Sequence, residues 1–322
     1  MHPVLKKIQF IGIVPVIRLD DPNNAIPLAK ALEAGGLPCA EVTFRTAQGE
    51  ESIRRIAAEC PHILVGAGTV LTTAQVDCAI AAGAKFIVTP GFNPKVVAYC
   101  IKQGIPVVPG CTTPSDIELA IESGLEAVKF FPAEQSGGVA FLKAVSAPYP
   151  SVRFMPTGGV SVKNVNDYLS FDRVLACGGS WMVKPELIAA QRFDEITRLT
   201  AEAVQTMLGF RLAHVGINTE NETQARAAAQ MFGRLFGFSE KIGNSSIFAG
   251  SYVELMKTPY HGKHGHVAIA TLSLSRAIAY LELNGVTFLQ DSMKFDDKGT
   301  PVAIYLKEEI AGFAVHLVQS KD

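Results

Sequence analysis

A single lysine stands in an otherwise apolar run, Ala127-Val128-Lys129-Phe130-Phe131-Pro132. The run has the length and content of a β-strand. Side chains alternate along a strand, so Lys129 shares a face with Ala127 and Phe131. Two readings fit it. In one, the head reaches water or pairs with Glu41 while the stem packs on apolar neighbours. In the other, the amine is desolvated. Burial disfavours the ammonium form, and an uncharged amine is the nucleophile that condenses with a ketone to form an imine. A second run, Ala40-Glu41-Val42-Thr43-Phe44-Arg45-Thr46, carries groups that would serve such chemistry. Glu41, Thr43 and Arg45 share one face, and Val42 and Phe44 take the other. A carboxylate can move protons, and a guanidinium can fork onto a substrate carboxylate. The plainer alternative is a structural ion pair, because a buried Glu and Arg are costly unless paired or functional. Two glycine-rich turns complete the set, Thr157-Gly158-Gly159-Val160-Ser161 and Gly178-Gly179-Ser180. Glycines let backbone N–H groups approach an anion closely, and helix N-termini add a favourable dipole. Ordinary turns are the alternative there.

The elements that must hold these residues follow a regular order. From residue 8 to about 207, eight short apolar runs alternate with amphipathic segments. The runs are Gly12–Leu19, Ala40–Arg45, Ile63–Gly68, Phe86–Thr89, Val107–Pro109, Ala127–Phe131, Arg153–Thr157 and Val174–Ala176. Helical patterns lie between them, and a last helix covers about Phe193–Met207. Several helices start after Asn93-Pro94 or Thr113-Pro114-Ser115 type signals, and several stop at Gly35, Gly83, Gly104 and Gly124. Eight β-α units in this length predict a closed (β/α)₈ TIM barrel. An open doubly wound sheet is the runner-up. It usually stops at five or six strands and shows an early Gly-rich dinucleotide turn, which is missing here. Barrel active sites lie at the C-terminal ends of strands, where Glu41 and Lys129 fall, and the loops after strands 7 and 8 are the usual phosphate site.

Composition agrees with this picture. The chain has 322 residues, 48% hydrophobic and 18% charged, with a net charge of −1. Cores are well supplied, and no basic excess points to nucleic acid. Lys6-Lys7 followed by the apolar run Ile8–Ile17 mimics a signal peptide, yet it leads into Arg18-Leu19-Asp20-Asp21 with no small-residue cleavage site, so a first barrel strand is expected there. No apolar stretch approaches the roughly 18 residues of a membrane span. The six cysteines form no CxxC pair and fit reduced, mostly buried thiols in a cytoplasmic protein.

The segments Glu41–Thr46, Gly66-Ala-Gly-Thr-Val-Leu71, Lys129-Phe-Phe-Pro-Ala-Glu134, Pro156-Thr-Gly-Gly-Val160 and Gly178-Gly-Ser-Trp181 closely resemble the 2-keto-3-deoxy-6-phosphogluconate aldolase family, which also includes 4-hydroxy-2-oxoglutarate aldolases. The resemblance runs in order from about residue 8 to 207. It implies that Lys129 is the Schiff-base lysine and Glu41 the general acid/base. It implies that Arg45 and Thr69 hold the pyruvyl carboxylate, that Pro90, Phe131 and Thr157 line the pocket, and that Gly158, Gly159, Gly179 and Ser180 cradle phosphate. It implies cleavage of a phosphorylated keto acid to pyruvate and glyceraldehyde 3-phosphate, no metal for that step, and a homotrimer. Aldol cleavage of unphosphorylated 4-hydroxy-2-oxoglutarate and of the 6-phosphogalactonate epimer are the alternatives within the mechanism. A non-catalytic phosphometabolite-binding protein is the alternative outside it.

After Gly209 the character changes. Five of the seven histidines and none of the cysteines lie beyond it. The expected division is therefore 1–208 and 209–322. The second part reads as β (Arg211–Asn218), α (Glu222–Phe236) and three short strands, then β (His266–Thr271), α (Ser275–Asn284) and three more, an α+β domain of two βαβββ modules. This duplication resembles the vicinal-oxygen-chelate, or glyoxalase-like, fold. The resemblance implies metal ligands on the first and last strands of each half, where His214, Glu254, His266 and His316 stand. His316 departs from the Glu often found at the fourth position. Three imidazoles and a carboxylate suit a divalent Zn, Ni, Fe or Mn ion. Satisfied core histidines, in an appendage for oligomerisation or small-molecule binding, are the alternative. His261 and His264 are expected to be solvated.

Overall fold

The chain opens with a helix rather than a strand. In the computed structural model, which describes residues 1–320, Pro3–Ile11 is helical. Pro3 occupies the first turn, where its missing N–H costs nothing, and the His2 ring accepts from the Val4 N–H. Leu5 and Ile8 lie three apart and are buried, which is the helical spacing concealed inside the apolar run. Gly12, at φ 78°, ends the helix in a left-handed turn that an L side chain adopts poorly. The expected first strand thus begins only at Ile13.

Eight parallel strands follow: β1 (Ile13–Ile17), β2 (Cys39–Thr43), β3 (Leu64–Gly68), β4 (Ile87–Val88), β5 (Val107–Val108), β6 (Ala127–Phe130), β7 (Arg153–Pro156) and β8 (Cys177–Gly179). Six of them form a sheet in the order β5-β4-β3-β2-β1-β8, and β6 pairs with β7. Single bridges close the ring, Gly110 to Lys129 between β5 and β6, and Phe154 to Val174 and Thr157 to Gly178 between β7 and β8. The result is a (β/α)₈ barrel. The eighth strand lies a few residues later than Val174–Ala176. Val174 makes only one bridge to β7, and continuous pairing with β1 begins at Cys177, opposite Ile13.

Side chains from the barrel interior, among them Val14, Phe86, Val88, Val108, Ala127 and Met155, form one core cluster with Leu5 and Ile8 of the first helix. That helix therefore packs on the end of the barrel opposite the strand C-termini. Thr72 with Gln75 and Thr113 with Asp116 form reciprocal capping boxes, which fix the entry of two helices close behind β3 and β5. The six cysteines are thiols and form no disulfide.

The chain divides into two compact units after Met207. In the second, β9 (Arg211–Asn218), β10 (Glu240–Ile242), β11 (Ser246–Ala249), β12 (Val253–Met256), β13 (Gly265–Thr271), β14 (Phe288–Phe295), β15 (Pro301–Leu306) and β16 (Phe313–Gln319) make one sheet in the order β10-β11-β12-β9-β13-β16-β15-β14. β12 is parallel to β9 and β16 is parallel to β13, while β9 and β13 meet antiparallel at the centre. Each half is one β-α-β-β-β unit, with Glu222–Phe236 and Leu274–Leu283 as the two helices. The helix Glu222–Phe236 packs Ala225 and Ala229 on Ile247, Ala249 and Leu255 of its own half.

The first helix is a structural plug, so Ile8, fully buried, is the residue to test. Ile8→Ala should destabilise the barrel by about 2–5 kcal/mol, the usual cost of such a core truncation. A denaturant melt reads this as a lower midpoint, and an unchanged midpoint would contradict the packing.

Candidate active site

Lys129 and Glu41 meet inside the barrel. Nζ lies 3.6 Å from Glu41 Oε1, with side-chain exposures of 5% and 0%. The lysine therefore does not reach water, and Glu41 takes Lys129 as its ion partner rather than Arg45. Neighbours on both sides fix the lysine backbone. Its N–H donates to Pro109 O and its carbonyl accepts from the Cys111 N–H, both at 2.8 Å, and it stands opposite Met155 of β7. Glu41 stands between Val16 of β1 and Gly66 of β3. Room for its carboxylate comes from Gly68, where a Cβ would lie 2.3 Å from Glu41 Oε1. Gly66 likewise admits the Phe86 ring, which a Cβ would meet at 2.4 Å.

Magnitudes argue against a merely structural pair. Two opposite charges at this separation attract by about 4–5 kcal/mol at an effective dielectric of about 20. Desolvation costs several kcal/mol per ion, so such a pair roughly breaks even. Neither Glu41 oxygen accepts a hydrogen bond, an arrangement rare for buried polar atoms and typical of a working group. Cys111, the neighbouring thiol, is no competing nucleophile. Burial, with help from the Asp116 charge, pushes it up to about 12.

Two residues further along the same faces lie Thr43 and Phe131, which line a cavity of about 420 Å³. The Phe131 ring also lies 5.0 Å from Lys129 Nζ, so it belongs to both the cavity and the amine's surroundings. Arg45, Thr157, Gly158, Gly159, Gly179 and Ser180 line the same cavity, with Arg18, Val16, Ile17, Val160, Val183 and Pro185. Lys129 and Glu41 sit one layer deeper. Thr69 and Pro90 are not among the lining residues. Arg45 Nε donates to Thr69 Oγ1 at 3.3 Å, and Thr69 holds φ 56°, a left-handed conformation that costs a β-branched residue energy. Pro90 packs beneath Gly110, whose Cβ would lie 2.0 Å from the Pro90 carbonyl oxygen.

The glycine turns are shaped by neighbours. Gly158 and Gly159 have φ 98° and 80°. Ala133 and Glu134 donate their N–H groups to Thr157 O and Gly158 O, so the segment after β6 holds the turn after β7. Glu134 lies over Gly159, where a Cβ would come within 2.5 Å of its Cγ, and it accepts a hydrogen bond from buried Tyr168. Gly178 leaves space for Thr157, and Gly179 for the Trp181 ring. Sequence reasoning missed Arg18, Gly68 and the Glu134–Tyr168 contact. A signal existed for the first, since Arg18 follows Val16 at the strand period.

The family model for KDPG and KHG aldolases (the 2-keto-3-deoxy-6-phosphogluconate and 4-hydroxy-2-oxoglutarate enzymes) matches residues 4–199. The chain belongs to this family. A 2-dehydro-3-deoxy-phosphogluconate aldolase of Treponema pallidum is 48% identical over 205 residues, covering 64% of this chain and 98% of that protein. The KHG/KDPG aldolase of Escherichia coli K12 is 45% identical over 60% of this chain and 91% of its own length. A crystal structure of the Legionella pneumophila KDPG aldolase, with pyruvate captured as a covalent carbinolamine, superposes with a TM-score of 0.60 at 36% identity, covering 62% of this chain and 97% of that one. A Zymomonas mobilis aldolase structure with 3-phosphoglycerate gives a TM-score of 0.58 at 37% identity, with coverages of 62% and 94%.

The second unit has a cluster of its own. Glu254, Gly216 and His266 lie side by side on β12, β9 and β13, and His214, Ala268 and His316 lie in the next row of the same face on β9, β13 and β16. The His266 ring fills the place above Gly216, where a Cβ would lie 2.0 Å from it. Glu254 Oε2 is 3.0 Å from His266 Nε2 and 3.2 Å from His214 Nε2, and those two nitrogens are 3.2 Å apart. The three histidines each offer a ligand atom within 4.8 Å of the others. Burial raises the Glu254 carboxyl, but hydrogen bonds from His214, His266 and Ser246 outweigh it and hold the group well below the usual carboxylate range. Burial and the neighbouring His266 and His214 push His316 down to about 3, so it is a neutral imidazole near pH 7. Tyr305 stacks on the His316 ring at 4.5 Å. His261, expected to be solvated, is half-buried against Tyr260 and Tyr305.

Gly68 gives the sharpest test of the barrel site. Gly68→Ala should shift the Glu41 carboxylate and lower turnover by about 100-fold or more, the scale of lost acid–base catalysis. The variant should stay folded by circular dichroism. Turnover within threefold of wild type would contradict the account.

Proposed function

We propose that the barrel is a Schiff-base aldolase that cleaves 2-keto-3-deoxy-6-phosphogluconate to pyruvate and glyceraldehyde 3-phosphate. The observation that carries this reading is the dry Lys129–Glu41 pair at 3.6 Å, directly beneath a cavity lined by the two glycine turns. The names of the relatives support the substrate class.

The residues divide the work as follows. Lys129, having given its proton to Glu41, attacks the C2 ketone, and Glu41 returns that proton to the hydroxyl that leaves as water. A carbinolamine forms and loses water to leave an iminium ion. Glu41, as carboxylate, takes the proton of the C4 hydroxyl. The C3–C4 bond then breaks, its electron pair flowing into the iminium to give an enamine, while C4 leaves as the aldehyde. Glu41 delivers that proton to C3 of the enamine, water hydrolyses the resulting iminium, and pyruvate departs with the lysine regenerated. Arg45, oriented by Thr69, offers a charge-assisted contact to the C1 carboxylate. Phe131 and Thr157 line the path, and Gly158, Gly159, Gly179 and Ser180 hold the phosphate. Pro90 acts through the backbone beneath Gly110 rather than on the cavity wall. No metal is needed for these steps. A cytoplasmic homotrimer is the assembly we assign to the enzyme.

The second unit, which we assign to residues 209–322 as a glyoxalase-like domain, supports a separate reading. We propose that His214, Glu254, His266 and His316 hold a divalent metal. Three observations test the fit. The ligand atoms of His214, His266 and Glu254 converge to 3.0–3.2 Å of one another, close to the roughly 3.3 Å separation implied by tetrahedral ligands about 2.0 Å from an ion. Both nitrogens of buried His316, and Nδ1 of His266, lack hydrogen-bond partners. Ser246 donates to Glu254 Oε1 at 2.5 Å, fixing the carboxylate as supporting groups around metal sites do. Such an ion would supply Lewis acidity to a bound oxygen ligand.

Two experiments check these assignments. Sodium borohydride with pyruvate should add a reduced pyruvyl group irreversibly at Lys129, found by peptide mass, and Lys129→Ala should remove it. Absence of any adduct on the wild-type protein would favour a binding protein without chemistry. Elemental analysis after dialysis against Zn²⁺ or Mn²⁺ should find about one ion per chain by the four-ligand count. The double variant His214→Ala, His266→Ala should lose it, and equal metal in both proteins would exclude this site.

A further inference from the structure

The cavity has a cation that the reading above leaves without work. Arg18 follows β1 at the barrel mouth and lines the same cavity as Gly158, Gly159, Gly179 and Ser180. That position agrees with the alternation of β1 carried one residue past the strand's last ladder bond. Val16 is the neighbour of inward-facing Glu41, and Arg18, two residues on, takes the same side. On its other side β1 runs against β8, with Pro15 opposite Gly179, which brings Arg18 past the Gly179-Ser180 turn.

Charge balance gives it a role. A phosphate monoester carries about −1.5 to −2 charges near pH 7. The glycine turns offer backbone N–H groups, which are partial charges only. Of the residues lining the cavity, only Arg18 and Arg45 are charged. Arg45 is turned to Thr69 on the β2–β3 side. Arg18 is therefore the one charged lining residue on the β1 side of the cavity, next to the turn after β8.

Arg18 also has a partner it can give up. Its Nε and Nη2 both donate to the same oxygen, Asp20 Oδ1, at 3.2 and 3.0 Å. Side-chain exposures of 54% and 61% make this an open surface pair, and such pairs contribute little. A phosphate offers the guanidinium two oxygens in place of one, with a larger charge, and it is already seated on the turns.

We propose that Arg18 is the counter-ion of the substrate's phosphoryl group, and that Asp20 holds it at the cavity mouth until the phosphate takes Asp20's place. This rests on the phosphorylated substrate proposed above. Arg18 is then a specificity residue. It favours the phosphorylated sugar acid over the same acid without phosphate, and it has no part in bond cleavage. Asp20 competes with the substrate for the guanidinium, so its negative charge weakens binding.

Steady-state kinetics of the full chain on 2-keto-3-deoxy-6-phosphogluconate and on unphosphorylated 2-keto-3-deoxygluconate test this. Arg18→Gln should raise KM for the phosphorylated acid by about 10- to 100-fold, the scale of a lost charge-assisted contact, with kcat within about threefold. The unphosphorylated acid should turn over as in the wild type, which also verifies that the variant is folded. Arg18→Lys should recover part of the loss, and Asp20→Asn should lower KM for the phosphorylated acid by about two- to fivefold, as expected on removing a weak surface competitor. Ser180→Asp serves as the control on the cradle, because a carboxylate there repels phosphate. If Ser180→Asp harms only the phosphorylated acid while Arg18→Gln leaves both KM values unchanged, the Arg18 proposal is wrong and the cradle stands. If Ser180→Asp harms both substrates equally or neither, the phosphate reading itself fails and takes this proposal with it. Equal losses on both substrates in Arg18→Gln would also overturn it.

Discussion

An amine and a carboxylate 3.6 Å apart in a dry interior set the terms for the elements around them. Neither group is stable there by default, and the attraction between them does little more than offset their desolvation. Their placement needs a closed barrel, because β2 and β6 face one another only when the ring is complete. It needs small residues on the neighbouring strand, because Gly68 supplies the volume that the Glu41 carboxylate fills. It needs the lysine backbone clamped by Pro109 and Cys111, just after β5, so that a long side chain is aimed rather than free. The first helix seals the far end with Leu5 and Ile8, which leaves the strand C-termini as the open side.

The cavity above the pair is graded in polarity. Phe131 borders the amine. Arg45 and Arg18 stand on different sides of the mouth, one turned to Thr69 and the other to Asp20. The glycine turns complete the wall between them. An elongated dianionic or trianionic keto acid with a carboxylate at one end and a phosphate at the other matches that division of charge. Its reacting carbons then fall toward the deep lysine, and closeness of the reacting groups supplies much of the acceleration in reactions of this kind.

Much of this was legible in the residues, and the gaps have physical causes. Period-2 alternation put Glu41, Thr43 and Arg45 on one face and singled out Lys129, because a charged residue in a strand buried on both sides must be explained. The same alternation extended past the end of β1 would have reached Arg18, but residues beyond a strand's last ladder bond have no assured register. The apolar run Ile8–Ile17 hid a helix and a strand in series, since a short run carries no clear period and only Gly12 marks the break. β8 lies a few residues later than apolarity alone indicates, because Val174–Ala176 is more apolar than Cys177–Gly179 while pairing with β1 depends on backbone alone. The work of Gly68 and Gly216 was invisible in sequence, since each makes room for a residue distant in the chain, Glu41 in one case and His266 in the other. In the second unit the four ligand candidates fell on β9, β12, β13 and β16 as a duplicated module requires, and two rows of one sheet face bring them together.

Exchange of pyruvate methyl protons in D₂O, followed by NMR, tests the central claim most directly, because it needs the amine to form the iminium and the carboxylate to move the C3 proton. The wild-type protein should exchange these protons. Lys129→Met should not, and Glu41→Gln should slow exchange by about 100-fold or more while still forming the iminium, in line with the usual contribution of a positioned base. Exchange that persists without the lysine, or that ignores loss of the carboxylate, would contradict the account.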